Sequence, residues 1–519
     1  MDILEIYSEA LSEYKAKNFE RALEILETLK ESAPNWTKVF LLEAYIRREQ
    51  NFFLEEISVI EKFLPKIDIS LPGEKNLAAT AFSLLAATYR IIREPEKAVN
   101  FFLQSAQLED DKNKKLVELS NAIFSANDSE NVTAEIFEKL HSEYRKNISD
   151  IKPYAKKNYH HKKIRVGYLS ADFHEHPVTS FFWALISWRN KNFFDIYCYS
   201  SGKNFDNISE KIFSSVEVWR DISDLSDEDA AKIIHDDEID ILFELSGHTS
   251  GNRLPVTAYK PAAVQISGIG YMNSTGLFST DYFLSDKFCS ENKSAMKNYF
   301  TEKIIELPHS HFCFTPIKNF PEPNHVQKPE IIFGCFNNFS KVTNSMLRAW
   351  QKILSAVPKS RLILKHKIFD NDEGRNFVAE KLRLMNFDLK QIELRGFSAD
   401  YLNEYNEIDI ALDTFPYVGG VTTCEALYMG VPVISIYGER HGTRFGYSFL
   451  KNVGIEELAV KNFSEYVERA VMLASDRELL SVLHKNLRTM MKNSPLMNQK
   501  LYAQEVERFY LEIFSKLFN

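Results

Sequence analysis

The 519-residue sequence predicts an α/β protein in which two Rossmann-like domains face a cleft and follow an all-α helical repeat domain. Three observations predict this class. Residues 1–155 show helical periodicity without strand signals, the remainder alternates short apolar runs with helical segments, and a proline-rich break at 315–330 divides that remainder in two. The predicted domains are therefore residues 1–155, 156–325 and 326–519, as expected for a chain too long for one core.

The first segment carries the small–aromatic–small–proline spacing of a tetratricopeptide repeat at Ala10, Phe19, Ala22 and Pro34. Less regular copies follow at Tyr45, Phe52 and Pro65, and at Ala86, Tyr89 and Ala98. Alanines suit positions where paired helices approach closely, and aromatic rings fill the space between pairs. A plain helical bundle is the alternative. Either arrangement predicts a surface that binds other chains.

The polar, basic stretch 144–163 is interpreted as a linker, after which the pattern changes to that of a parallel sheet. The predicted strands of the first block are 163–170, 195–200, 239–247 and 264–270. Those of the second block are 331–337, 361–367, 392–396, 408–413 and 432–438. Residues 464–519 are predicted to be helical. Two such sheets in series place a ligand cleft between the carboxyl ends of their strands.

Composition excludes several classes of protein. The net charge of −9 argues against nucleic-acid binding, and no apolar window is long enough to span a membrane. The five cysteines are scattered, which indicates neither a disulfide framework nor a zinc site, and the N-terminus lacks a signal-peptide pattern. A cytoplasmic location is therefore expected.

The most informative segment is LDTFPYVGGVTTCEALYMGVPVISIYG, residues 412–438. A strand ends there, a loop with Gly419 and Gly420 follows, and Thr422-Thr423 open a helix that contains Glu425 one turn later. Free N–H groups at a helix N-terminus suit a phosphate, and an acid at this place can accept hydrogen bonds from ribose hydroxyls. The alternative is a simple capping threonine with a first-turn acid.

Two further segments follow predicted strands. FNNFSKVT (336–343) supplies Asn338 and Lys341, and the lysine can neutralise charge on a departing diphosphate. SADFHEHPVTSFF (170–182) supplies His174 and His176, and a histidine can take a proton from an acceptor hydroxyl. A solvated lysine and structural histidines are the alternatives.

Together these stretches resemble the family of O-linked N-acetylglucosamine transferases and their bacterial tetratricopeptide-repeat relatives. The resemblance runs from about Ile164 to about residue 475. It is carried by SADFHEHPV, LSGHTSGNRLPV (245–256), KPAAVQISGIGY (260–271), FGCFNNFSKVT (333–343), ALDTFPYVGGVTTCEALYMGVPV (411–433) and GERHGTRFGYSFL (438–450). The resemblance implies a GT-B fold. It also implies inverting, metal-independent transfer from a UDP-sugar, N-acetylglucosamine by preference, to Ser or Thr hydroxyls of a protein.

The resemblance also implies roles for individual residues. His176 matches the family's active-site histidine, and Lys341 matches the lysine on the donor diphosphate. Thr422 and Thr423 match the phosphate-binding pair. Glu425 matches the acid on the ribose, and Tyr401 stands in place of a histidine that stacks on the uracil. Asn338, Gly419 and Gly420 complete the expected donor site. Two departures leave the sugar open: the loop GYMNSTG (270–276) lacks a proline and a glycine of the family, and Val421 replaces a smaller or polar residue.

No metal or other cofactor is expected, and UDP-sugar is the donor substrate. The acidic triplets 227–229 and 370–372 are interpreted as surface acids. The expected partner is a protein acceptor, with surface or flagellar proteins as one class. Alternatives are another UDP-sugar, an asparagine acceptor, a nucleotide-sugar epimerase or an inactive repeat scaffold. The repeats are expected to bind the acceptor remotely, so that UDP binding survives their removal; the alternative is that they bury an apolar face of the first Rossmann-like domain.

Overall fold

The computed structural model describes residues 2–155 and 161–518, so the predicted boundary at 155–156 and part of the predicted linker fall outside the described residues. The first segment is all-α, as predicted. Its helices are α1 (Ile3–Lys15), α2 (Phe19–Ser32), α3 (Thr37–Glu49), α4 (Phe53–Phe63), α5 (Glu74–Ile91), α6 (Pro95–Leu108), α7 (Lys112–Ala126) and α8 (Ala134–Asn147). The alanines of the repeat pattern are fully buried at Ala10, Ala22, Ala86 and Ala98, because neighbouring helices pack closely there. Helix α8 also extends into the predicted linker and buries Tyr144.

The first Rossmann-like domain is a parallel sheet flanked by helices. Its strands are β1 (Ile164–Ser170), β2 (Phe194–Ser200), β3 (Val218–Asp221), β4 (Ile241–Glu244), β5 (Val264–Ser267), β6 (Tyr282–Asp286) and β7 (Lys303–Leu307). Its helices are α9 (Pro177–Ser187), α10 (Asn207–Ser215), α11 (Asp227–Asp236), α12 (Leu254–Ala258) and α13 (Lys293–Tyr299). The strand order β3-β2-β1-β4-β5-β6-β7 reverses direction between β1 and β4, where α/β sheets bind ligands.

The second domain repeats this plan with the order β10-β9-β8-β11-β12-β13. Its strands are β8 (Ile331–Cys335), β9 (Ser360–Lys365), β10 (Ile392–Arg395), β11 (Ile410–Leu412), β12 (Val433–Ile436) and β13 (Ala459–Val460). Its helices are α14 (Asn344–Ala356), α15 (Asp372–Leu384), α16 (Tyr401–Glu404), α17 (Val421–Tyr428), α18 (Phe445–Val453), α19 (Phe463–Ser475), α20 (Arg477–Lys492) and α21 (Gln499–Phe518). All nine predicted strands are present, and β3, β6, β7 and β13 were not predicted.

Helix α21, within the predicted third segment, returns to pack on the first Rossmann-like domain. The indole of Trp188 donates to Gln499, and the hydroxyls of Tyr168 and Tyr510 are 3.2 Å apart. The C-terminal helix therefore fastens the two Rossmann-like domains together.

The repeat helices are joined to both Rossmann-like domains. Ser120 of α7 lies 3.0 Å from His248 Nδ1, and Arg145 of α8 donates to the carbonyl of Gly276. Arg93, after α5, donates to the carbonyl of Val342 in the second domain. One hydrophobic core runs without interruption from α3 through both sheets to α21. The shared core agrees with the alternative that the repeats bury an apolar face of the first Rossmann-like domain, and whether the repeats can be removed stays a prediction.

Two composition-based expectations can be compared with the structure. No helix of the described residues is both long and apolar enough to cross a bilayer. The five cysteines are all buried thiols without a disulfide.

Candidate active site

The glycine loop before α17 is shaped by one buried carboxylate at the end of β11. Asp413 accepts from the Gly419 N–H at 2.8 Å, from the Asn337 amide at 3.0 Å and from the Ser435 hydroxyl at 2.7 Å. A Cβ on Gly419 would lie 2.3 Å from the Thr423 hydroxyl oxygen. Gly419 and Thr423 are thus buried parts of the turn, and Gly420 and Thr422 remain to face the cleft.

Lys341 lies at the end of a short 3-10 turn (Phe339–Lys341) that follows β8. Its ammonium group donates to the Val418 carbonyl at 3.3 Å and sits 3.6 Å above the centre of the Tyr417 ring. These contacts hold the cation beside the N-terminus of α17. A diphosphate bound there would meet a lysine and open helix N–H groups together.

The environment of Lys341 contains a second cation from the repeat domain. Arg90 of α5 pairs with buried Asp128 at 2.7 Å, and its guanidinium lies 4.6 Å from the centre of the Phe124 ring. Burial lowers the pKa of Lys341 to about 8, with nearby Arg90 acting in the same direction and Asp413 and Asp128 opposing it. A low pKa of this kind marks a cation that gains from an anionic ligand.

His176 is the N-cap of α9, directly after the β1 loop. Its Nδ1 accepts a hydrogen bond from the Val178 backbone N–H at 3.4 Å and lies 3.6 Å from an oxygen of Asp172. Burial lowers the pKa of His176, and the Asp172 carboxylate opposes that shift. The imidazole is therefore neutral near pH 7. A neutral imidazole has one unprotonated ring nitrogen, which can accept a proton from a hydroxyl.

These groups line one cavity of about 460 Å³, which is within the size range of ligand sites. The first Rossmann-like domain contributes Asp172, His176, His248, Thr249, Ser250 and residues 269–272. The second contributes Lys341, Tyr417, Val418, Gly420, Val421, Thr422 and Phe445, and the repeat helices contribute Arg90, Asn121 and Phe124. The predicted residues His176, Lys341, Gly420 and Thr422 are thus brought together.

Five predicted donor residues do not line this cavity: Gly419 and Thr423, which are buried in the turn, and Asn338, Tyr401 and Glu425. Asn338 is exposed and lines a neighbouring groove along the repeat helices. The Tyr401 hydroxyl donates to Glu425 Oε1 at 2.5 Å and accepts from Lys318 at 3.0 Å. Burial raises the pKa of Glu425 to about 7. Tyr401 and Glu425 therefore form one hydrogen-bonded unit, and their roles towards uracil and ribose stay predictions.

The loop 270–276, which differs from the family sequence, is anchored by one buried carboxylate. Buried Glu302 accepts from the Thr275 backbone N–H, the Thr275 hydroxyl and the Ser274 hydroxyl at 2.6–2.8 Å. Only its first part, Gly270 to Met272, lines the cavity. Met272, at the position of the family's proline, is therefore part of the cavity wall, and Ser274 and Thr275 anchor the loop.

Neither acidic triplet lines the cavity. Asp227 begins α11 and pairs with Arg253, and Asp372 begins α15, pairs with Arg375 and is 84% exposed. Asp370 accepts from the backbone N–H of Phe397. Each triplet has partners of its own away from the cleft.

The sequence reasoning missed three residues of the site. Asp172 stands four positions before His176, and that spacing was the available signal. Arg90 gave no signal, because its repeat helix has an ordinary amphipathic pattern. His248 lies in a matching stretch (245–256), and it joins α7 to the 270–276 loop by contacts with Ser120 and the Thr275 carbonyl at 2.9 Å.

Two Rossmann-like domains that face a shared cleft are the arrangement of the GT-B fold. The sequence profile of glycosyl transferase family 41 matches residues 135–328 and 322–506. The chain belongs to glycosyl transferase family 41.

Similar proteins agree with this assignment. A Solanum lycopersicum protein, probable UDP-N-acetylglucosamine–peptide N-acetylglucosaminyltransferase SPINDLY, is 36% identical over 368 residues, 68% of this chain and 39% of that protein. The Arabidopsis thaliana protein SEC, given the same enzyme name, is 30% identical over 371 residues, 68% of this chain and 37% of that protein. The chain thus spans about two fifths of the length of these relatives. A solved mutant of Thermobaculum terrenum O-GlcNAc transferase shares the fold, with a TM-score of 0.81 and 24% identity over 99% of this chain and 97% of that one.

Proposed function

We propose that this protein is an inverting, metal-independent transferase that moves N-acetylglucosamine from a UDP-sugar to Ser or Thr hydroxyls of a protein acceptor. One observation carries the proposal: Lys341 and the open N-terminus of α17 face His176 across a single cavity. The names of the plant relatives, which specify UDP-N-acetylglucosamine and a peptide, support the choice of donor and acceptor.

In the proposed reaction, positively charged groups stabilise the departing UDP. As the bond between sugar C1 and the diphosphate oxygen breaks, UDP leaves with the electron pair and its negative charge grows. Lys341 and the N–H groups at Gly420 and Thr422 are positive groups fixed beside that charge. This arrangement supplies what a divalent cation supplies in other transferases, which supports metal independence.

In the proposed reaction, His176 activates the acceptor hydroxyl. The acceptor hydroxyl oxygen forms the new bond to C1 while its proton passes to the unprotonated nitrogen of the neutral imidazole. Asp172, 3.6 Å from Nδ1, stabilises the charge that the ring then gains. Attack from the wall opposite the leaving diphosphate inverts the configuration at C1.

A protein acceptor is supported by the repeat helices. A groove of about 810 Å³ runs along α3, α5, α6 and α7, and it shares Arg90 and Asn121 with the catalytic cavity. An extended chain lying in that groove would lead a side-chain hydroxyl to His176.

The test is transfer from labelled UDP-N-acetylglucosamine into proteins of a lysate from the source organism. UDP-glucose serves as the competing donor, and the His176→Ala variant serves as the inactive control. Alkaline β-elimination should release the sugar, because Ser and Thr linkages are alkali-labile. Label that resists alkali would indicate an asparagine acceptor, preference for UDP-glucose would change the sugar, and absence of both transfer and donor hydrolysis would indicate a scaffold.

A further inference from the structure

A buried group of one thiol and two imidazoles lies behind the catalytic cavity. Cys289, His311 and His441 each offer a ligand atom within 4.8 Å of the others, and their exposures are 1%, 1% and 2%. The mechanism proposed above uses none of them. Among the described residues, this is the group of His, Cys, Asp and Glu with the geometry to hold a metal ion.

The hydrogen bonds of the two histidines leave the same ring nitrogen available on each. His441 Nδ1 lies 3.1 Å from the Met272 carbonyl, which can only accept, so Nδ1 carries the proton. His441 Nε2 then has a lone pair, and it is buried without a hydrogen-bond partner. An unpaired buried acceptor of this kind is costly unless a ligand satisfies it.

His311 is oriented in a matching way. Its Nδ1 is hydrogen-bonded to the buried carboxylate of Asp286, and the two rings lie with centroids 4.9 Å apart. A carboxylate or carbonyl behind the ring is the usual support of a metal-bound histidine, because it fixes the tautomer and makes the other nitrogen more basic.

We propose that Cys289, His311 and His441 bind one structural zinc ion. A thiolate with two imidazoles is a donor set that zinc prefers, and hard cations such as magnesium do not. Binding replaces the thiol proton of Cys289, which is released to solvent, and both imidazoles bind in their neutral form. Asp286 and the Ser448 hydroxyl, which lie 3.0 Å apart beside Cys289, support the site from behind its ligands.

The ion would connect the two Rossmann-like domains. Cys289 and His311 follow β6 and β7 of the first domain, and His441 follows β12 of the second. His441 also holds Met272, which lines the catalytic cavity. The metal would therefore fix the angle between the domains and the position of the 270–272 wall, with no part in the chemistry.

The experiment measures zinc in tag-free, full-length protein from zinc-replete cultures by plasma mass spectrometry. His441→Asn is the sharpest variant, because the asparagine amide keeps the hydrogen bond to Met272 and removes the Nε2 ligand. Cys289→Ala removes the thiolate, and Cys198→Ala is the control, since Cys198 is equally buried but lies outside the group.

We expect about one zinc ion per chain in the wild type and in Cys198→Ala, and at least a tenfold lower content in the other two variants. Cobalt-substituted wild-type protein should show thiolate-to-metal absorption, which does not depend on the folding of any variant. Wild-type zinc no higher than in His441→Asn, or cobalt protein without that absorption, would overturn the proposal.

Discussion

The ammonium group of Lys341 lies on the cavity wall, where it is held by Val418 and Tyr417. Lys341→Ala removes that charge and leaves the turn in place. We expect turnover to fall about 10²–10³-fold, as when one preorganised donor to a developing anion is lost. Steady-state transfer rates measure the effect, with circular dichroism as the check on folding. A folded variant with near-normal turnover would remove Lys341 from the mechanism.

The pKa of Lys341 gives a pH prediction. Because the free-state pKa is lowered to about 8, the ammonium form that binds a diphosphate is present below pH 8 and is lost above it. UDP affinity should therefore fall about tenfold per pH unit above pH 8 until the higher pKa of the complex is reached. Lys341→Arg should abolish this dependence, because a guanidinium stays charged. Calorimetric titrations from pH 7 to pH 10 compare the two proteins, and parallel curves would contradict the assignment.

His176 should govern the fall of kcat/KM at acidic pH. Burial lowers its pKa, so the neutral base is present above that pKa and is lost as the pH falls through it. We expect His176→Ala to reduce transfer about 10²–10⁴-fold and to remove the acidic limb of kcat/KM. An unchanged acidic limb in His176→Ala would assign that titration to another group.

At this scale the sequence predicted the residue types well and their contacts less well. His176, Lys341, Gly420 and Thr422 meet as expected. Glu425 and Tyr401 bind each other, because a buried carboxylate one turn into α17 needs a donor and the tyrosine hydroxyl of α16 is within reach. Pairings of this kind depend on the packing between helices, which a single sequence does not state.

Helices α11 and α15, at whose N-termini the acidic triplets lie, give a prediction about whether transfer depends on a metal. The triplets start α11 and α15, where acids stabilise the helix N-terminus, and neither faces the cleft. We therefore expect transfer to persist in brief excess EDTA, assayed with and without added manganese or magnesium. Those cations cannot occupy the Cys289–His441 site, which has soft ligands. If EDTA abolished activity and manganese or magnesium restored it, Asp370 and Asp372 would become candidate ligands of a catalytic metal.

Three of the four strands that were not predicted lie at sheet edges. β3 and β13 are short edge strands, and β3 is only partly buried, so neither shows the apolar run of a central strand. β7 is likewise an edge strand, whereas β6 pairs with β5 and β7, and charged residues at Asp286 of β6 and Lys303 of β7 break the apolar pattern. The central strands, buried on both faces, were all evident from the sequence.

For the whole molecule, the continuous core makes the repeats part of the catalytic unit. Removal of residues 1–160 would expose the apolar surface that α5, α7 and α8 cover and would delete Arg90 from the cavity. We expect such a truncated chain to unfold at a clearly lower temperature and to lose UDP binding together with transfer. Thermal melts and UDP calorimetry measure both. Full UDP affinity in a stable truncated protein would show that the repeats are separable.

The central claim is that Lys341 binds the donor diphosphate and His176 acts on the acceptor hydroxyl. UDP calorimetry on folded wild type, Lys341→Ala and His176→Ala tests it most directly. Lys341, from the second domain, and His176, from the first, line the same cavity, and we assign Lys341 to the donor and His176 to the acceptor. The account predicts that Lys341→Ala weakens UDP binding at least tenfold, while His176→Ala binds UDP within about twofold of wild type and still loses transfer. Equal loss of UDP affinity in both variants would contradict the account, because it would place the two residues on the same ligand.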